Sequence, residues 1–357
     1  MNLKEAGQYR TGVNTVKGLD GLRVYAIAMI LACHVGALAD IAGGIGNKIF
    51  FSMSGFLAYY SILRCTGFRG ALTFYLKRFV RIVPVFWVVV LIVWRMFPGI
   101  FNVHDFSSPH SLLLNLFFIK NYGHFWFLQH LVLMYLLVPL FFFLHKGIVS
   151  LLLRAAVPEL GARLGSALLF LVLAVLEKKY LTADVLSLSG EGSHRQFQVW
   201  MFLFGFAAAI CGDALVKSGF REKHRGAVQI GRAVTTVAVP VLLVLLTVSV
   251  LPPVHHSGKL LFLSGEYLRT ILACVIYLLF LLTEDSLIAR FLSCGIMVRL
   301  AQLSFGIYLW HFFFLSYFRT ESGLHNFVFN YFISLCLALF TYLAVERPVN
   351  RLFKGRH

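Results

Sequence analysis

Gly21-Leu22-Arg23-Val24-Tyr25-Ala26-Ile27-Ala28-Met29-Ile30-Leu31-Ala32-Cys33-His34 decides what kind of protein this is. Two basic residues, Arg23 and His34, stand in an otherwise apolar run with no proline to break a helix. A bilayer core of about 30 Å needs about 20 such residues in a helix. The spacing predicts a first membrane helix over 22–42. Arg23 and His34 are 11 residues apart, just over three turns, so they share one face about 16 Å apart along the axis.

Working outward, nine further apolar runs follow. They predict helices over 46–63, 82–101, 124–145, 164–181, 197–216, 228–251, 267–283, 300–318 and 326–346. Segment 110–120 is apolar but too short to span and reads as interfacial or re-entrant. Composition agrees with this reading. Hydrophobic residues make up 59% of the 357 and charged ones 13%, against roughly 45–50% and about 25% in soluble domains. The expected fold is an all-α membrane protein, a bundle of about ten transmembrane helices.

The net charge is +17. Basic residues lie between apolar runs and not along one soluble surface, which excludes nucleic acid as partner and points to the positive-inside rule. With the N-terminus cytoplasmic, 22 Lys and Arg fall in inner connections and 8 in outer ones. Both termini are therefore expected inside, in the inner (plasma) membrane, with lipids as neighbours. No linker or repeat divides the chain. A single membrane domain over 1–357 is expected, with short basic tails at 1–18 and 347–357. The polar, basic start gives no cleavable signal peptide. The six cysteines show no CxxC spacing and no disulfide framework and read as small hydrophobes, and His124 and His130, six apart, share no helical face and have no third ligand at metal-like spacing.

On this topology Arg23 lies at the cytoplasmic surface and His34 near mid-bilayer. An ionisable residue at that depth is a functional candidate, and a neutral histidine suits a general base. A histidine packed against a neighbouring helix has the same signature, and Arg23 alone also reads as an interfacial anchor. In Phe50-Phe51-Ser52-Met53-Ser54-Gly55-Phe56-Leu57, small residues permit close helix packing and Ser54 offers a hydroxyl. In Lys77-Arg78-Phe79-Val80-Arg81-Ile82-Val83-Pro84, Arg78 and Arg81 share a helical face at the entry to the third helix. Two guanidinium groups there form a phosphate clamp; the positive-inside rule would also place them. His124 and Trp126 open the fourth helix, where an aromatic belt is the alternative. Ser304, Tyr308 and His311 follow at i, i+4, i+7, a polar stripe in the ninth. Glu346 and Arg347 read as a cap or ion pair.

In order and spacing these segments resemble the acyltransferase-3 family of membrane acyltransferases. The matching stretches are Leu19-Asp20-Gly21-Leu22-Arg23 with His34, Phe50 to Leu57, Lys77 to Pro84, His124 to Leu128, Ser304 to His311, and Glu346-Arg347-Pro348. The resemblance implies transfer of an acyl group, usually acetyl, from acyl-CoA to a hydroxyl of an envelope carbohydrate or lipid-linked glycan. It implies catalytic roles for His34 and Arg23, and donor binding by Arg78 and Arg81; Lys77, beside them in the same basic run, is a further donor-side candidate. Ser54, His124, Trp126, Tyr308 and His311 are the substrate-side candidates. No metal is expected, and acetyl-CoA is the expected donor. Many members carry Trp-Ser-Leu-x-Val-Glu-Glu-Gln where this chain reads Trp126-Phe127-Leu128-Gln129-His130-Leu131-Val132-Leu133. A mechanism needing an acid in the fourth helix does not transfer. The short tail after residue 346 matches members without an appended periplasmic hydrolase-like domain. The competing class is a proton-coupled transporter using His34 and His311.

Overall fold

A computed structural model describes residues 16–39, 41–65, 67–96, 108–119, 123–180, 199–251, 265–313 and 320–354. Among them every regular element is helical. Ten helices have 16 residues or more: α1 (Leu19–His34), α2 (Ile41–Leu63), α3 (Gly67–Met96), α4 (Trp126–Arg154), α5 (Glu159–Tyr180), α6 (Val199–Lys217), α7 (Arg225–Ser249), α8 (Glu266–Leu282), α9 (Gly295–Trp310) and α10 (Gly323–Thr341). Each overlaps one expected segment. Six stretches, in α3, α4, α5, α6, α7 and α10 with its continuation to Phe353, are long and apolar enough to cross a membrane. The short 110–120 segment contains a helix over Pro109–Leu116, capped by the Ser108 side chain on the Ser111 amide. The expected tails before residue 16 and after 354 lie outside the described residues. So do positions 97–101 of the third expected segment and 314–318 of the ninth.

The apolar faces show which helices meet lipid. On α7, Ile230, Val234, Val237, Val241 and Val244 recur at helical spacing, and each is at least half exposed. A contiguous apolar stripe of this extent is sustained by a hydrocarbon solvent and not by water. By contrast, 83% of the most apolar window of α6 is enclosed, against 17% in α7. The bundle is therefore centred on α6, with α7 on its rim.

Small residues set the central contacts. A Cβ at Gly205 of α6 would lie 1.7 Å from the Ser52 carbonyl oxygen, and one at Gly55 of α2 would lie 2.0 Å from that of Phe202. The two backbones touch, as small-residue pairs allow in membranes. Gly46 brings α2 onto α1 in the same way: a Cβ there would lie 2.4 Å from Ala26 O. Gly21 packs the start of α1 against Leu292, whose carbonyl accepts the Gly21 amide at 2.8 Å.

Two boundaries depart from expectation, and both move functional residues. First, α1 stops at His34 instead of running to 42. Gly36 takes φ 74°, and the Gly36 and Ala37 amides close on Cys33 O and Ala32 O at 3.0 and 2.9 Å. This left-handed cap ends the helix. His34 is thus at a helix end and exposed, not within a helix that runs on to 42. Second, α3 starts at Gly67, well before 82. Its basic residues depress the hydropathy of the first turns and hide them from an apolar-run reading. Two of them, Arg78 and Arg81, face a cavity that receives their charge, while Phe68, Leu72, Leu76 and Phe79 line the outer side. Arg78 and Arg81 therefore stand inside the helix, not at its entry.

One buried carboxylate is held by three donors. Asp213 in α6 is 3% exposed and accepts Arg163 at 2.8 Å, Lys217 at 2.9 Å and the Tyr59 hydroxyl at 3.1 Å. A lone buried carboxylate would be costly; this one ties α2, α5 and α6 together.

Gly205→Val should lower the melting temperature of the detergent-solubilised protein by about a few degrees or more, because overpacking costs about 1–3 kcal/mol. Gly147→Ala, where an added Cβ meets open space, should be neutral. Equal melting of the two variants would contradict the close α2–α6 crossing.

Candidate active site

The polar residues gather at two levels. The first is a cavity of about 90 Å³ lined by Arg23, Ser54, Arg78, Arg81, Tyr135, Ser304 and Tyr308. Its remaining walls are apolar, among them Phe50, Met53, Phe127 and Leu131. Four long helices contribute to it, α1, α2, α3 and α4, closed by α9. The volume suits a few waters or a stretch of narrow chain, not a whole nucleotide.

Each arginine is held separately. Arg23 pairs with Asp20, one turn earlier, at 3.2 Å. The Arg78 guanidinium carbon sits 4.6 Å from the Tyr135 ring centre and 5.3 Å from that of Phe74. Such cation–π contacts orient the planar group and leave its N–H edges available for an anion. Arg81 is the exposed member. Within its electrostatic range is Glu346, buried on the π-helical turn Tyr342–Glu346. Against three arginines the described surroundings supply two carboxylates, so the cavity stays positive. Lys77 is exposed and lies outside this lining.

The second level is a cluster of three histidines, each at a helix end. His34 closes α1, His311 follows α9, and His124 sits on the short 3-10 turn before α4. Alternate up-and-down helices bring these three ends to one side of the bundle. His311 is fully buried and His124 is 4% exposed. His311 Nε2 is 3.0 Å from His34 Nδ1, and His311 Nδ1 is 2.7 Å from Tyr308 O. The His124 and His311 ring centres are 5.1 Å apart. His124 Nε2 donates to Leu309 O at 3.2 Å, and its buried Nδ1 has no hydrogen-bond partner. Phe312 stacks on His124 and meets His34 edge-on. No group of three or more His, Cys, Asp or Glu among the described residues is arranged to hold a metal.

Tyr308 joins the two levels. Its ring lines the arginine cavity, and its hydroxyl donates to the His124 carbonyl. The predicted stripe is therefore divided: Ser304 and Tyr308 face the cavity, His311 belongs to the histidines. Trp126 stands beside Phe51 and Phe127 and is not in the cavity lining. Ser54 reaches the cavity, whereas its neighbour Ser52 is committed to Lys48 O at 2.6 Å and Tyr277 at 2.9 Å.

Sequence reasoning missed Tyr135 and the depth of Glu346. Tyr135 is the sole tyrosine of the apolar run 131–144, a signal that could have marked it.

The chain matches the acyltransferase domain family over residues 16–346. It belongs to the acyltransferase-3 family. Among curated proteins it is similar to O-acetyltransferase OatA of Staphylococcus aureus strain NCTC 8325, 24% identical over 94% of this chain and 57% of that protein. A putative O-acetyltransferase of S. aureus strain COL is 21% identical over the same shares. The chain thus spans a little over half the length of these curated relatives. No solved structure matches. The family marks an acyltransferase domain, and the apolar helices fit a multi-pass membrane protein.

Ser54→Trp should fill the cavity and reduce acyl transfer by an order of magnitude or more with folded yield retained. Ser52→Ala should instead cost about 1 kcal/mol of stability. Transfer assays and melting curves on the two variants separate the effects, and full activity in Ser54→Trp would exclude the cavity from the reaction.

Proposed function

We propose that the chain transfers an acetyl group from cytoplasmic acetyl-CoA to a hydroxyl of a cell-envelope glycan or lipid-linked sugar, with His34 as general base. The observation that carries this reading is the pairing of an arginine-lined cavity with a histidine cluster farther along the same helix. Arg23 and His34 stand on one face of α1, about 16 Å apart along its axis. An extended pantetheine arm has that reach.

In this reading the α1 N-terminal end of the bundle is cytoplasmic, in keeping with the sequence-based division of 22 basic residues toward one side against 8 toward the other. About ten helices then span the inner membrane with both termini inside, as one membrane domain. The coenzyme phosphates engage Arg78 and Arg81, planar donors suited to bidentate contact with phosphate oxygens. Arg23 guides the donor inward, and Lys77 adds charge outside the cavity. The apolar walls and Ser54 receive the arm, and the thioester reaches the far end beside Tyr308.

There the acceptor hydroxyl enters from the outer side, where the end of α1 leaves His34 exposed. His124 and Trp126 flank that end of α4 and line the approach. His34 removes the hydroxyl proton as the oxygen attacks the thioester carbonyl. A new C–O bond forms, the C–S bond breaks, and the proton on His34 passes to the departing thiolate. The products are the O-acetyl ester and free coenzyme A. General-base assistance of this kind contributes about 10²–10⁴-fold. The three histidines avoid any need for a carboxylate in α4, the element that this chain lacks.

His34→Ala should abolish transfer from labelled acetyl-CoA while the protein keeps its melting temperature; full activity would sink the base assignment. Arg78→Ala with Arg81→Ala should raise the apparent KM for acetyl-CoA at least tenfold, each lost charged contact removing about 1.5–3 kcal/mol. Lys77→Ala should change it far less. An unchanged donor requirement in the double variant would leave these arginines a purely topological role.

A further inference from the structure

The polar stripe of the ninth segment places His311 on the substrate side, but both its nitrogens are engaged within the protein. Nδ1 lies 2.7 Å from Tyr308 O. A carbonyl oxygen only accepts, so Nδ1 carries the hydrogen. A neutral imidazole has one N–H, and His311 Nε2 therefore presents a lone pair. Its neighbour at 3.0 Å is His34 Nδ1, which must then donate. With both rings neutral the assignment has one self-consistent solution. His34 is protonated on Nδ1, and its lone pair is on Nε2.

The surroundings hold this arrangement in place. His311 has no exposed surface. Its ring centre is 5.1 Å from that of His34 on one side and 5.1 Å from that of His124 on the other. The Tyr308 carbonyl that anchors it belongs to a residue whose hydroxyl is itself tied to the His124 backbone. The anchor is buried and held at both ends, and His34 is the exposed ring that an acceptor can reach.

The geometry points to His311 as a positioning residue that fixes His34 in its Nδ1–H tautomer and so places the base lone pair on Nε2. The inference rests on the proposed role of His34 and deepens it. It requires that position 311 supply a hydrogen-bond acceptor toward His34, which glutamine can do and leucine cannot. A wrong tautomer disables an otherwise intact histidine base, and an orienting neighbour of this kind contributes roughly 10–100-fold.

The test uses the full chain in lipid nanodiscs with ¹⁵N-labelled histidine. The His34 signals are assigned by their loss in His34→Gln. In the wild type His34 should be protonated at Nδ1, and His311→Gln should preserve this. In His311→Leu the population should move to the Nε2–H tautomer. His34 protonated at Nε2 in the wild type, a measurement needing no variant at 311, would overturn the inference. So would a His34 tautomer unchanged in His311→Leu. In parallel, His311→Leu should lower kcat for acetyl transfer roughly tenfold to a hundredfold, with KM for acetyl-CoA within twofold, and His311→Gln should recover much of it. Equal loss in both variants, or a raised KM, would make His311 a structural or substrate-binding group and overturn the inference. Should the wild type turn over no acetyl-CoA, the proposed function fails, while the tautomer measurement still decides the role of His311.

Discussion

The contact on which the structure depends is the one α2 makes with its two neighbours through bare backbone. Gly55 and Gly205 let α2 and α6 touch at Ser52 and Phe202, and Gly46 seats α2 against Ala26 of α1. In a bilayer there is no hydrophobic drive to join apolar helices, so close van der Waals packing at small residues takes its place. These three glycines set the depth of α1 against the bundle. Once that depth is set, Arg23 falls level with Arg78 and Arg81, and His34 falls level with His124 and His311.

The second constraint is that every polar group inside must be satisfied or line a cavity. Asp213 meets it by accepting from Arg163, Lys217 and Tyr59. Lys48, buried in α2, meets it through Glu266 at 3.4 Å. Arg23, Arg78 and Arg81 meet it differently, by facing one cavity. The difference separates charges that hold helices together from charges available to a ligand. It also gives the two levels of the site distinct characters: a positive, largely apolar-walled chamber, and a set of hydrogen-bonding rings at helix ends.

Much of this is legible in the sequence, and the parts that are not share one physical cause. Ten apolar runs correspond to ten helices because length and hydropathy are local properties. Arg23 and His34 on one face, Arg78 and Arg81 three apart, and Ser304, Tyr308 and His311 in a stripe are also local, set by the helical period. The end of α1 escapes such a reading because Gly36 lies within an apolar run, and only its positive φ reveals that the helix stops there. The start of α3 escapes it because a hydropathy window penalises arginine without knowing that a cavity receives it. Tyr135 against Arg78, Asp213 against Arg163 and His34 against His311 are pairs 57, 50 and 277 positions apart. Nothing in a helical period encodes them.

Acyl transfer by this route requires one molecule of acyl-CoA to bridge the two levels. A structure of the full chain bound to a non-transferable acetyl-CoA analogue tests that requirement most directly. Phosphate density is expected against Arg78 and Arg81, with the arm passing Ser54 and Tyr308 and the acyl carbon one hydroxyl's width from His34 Nε2. An analogue bound with its phosphates away from the arginines, or with its acyl group remote from His34, would contradict it.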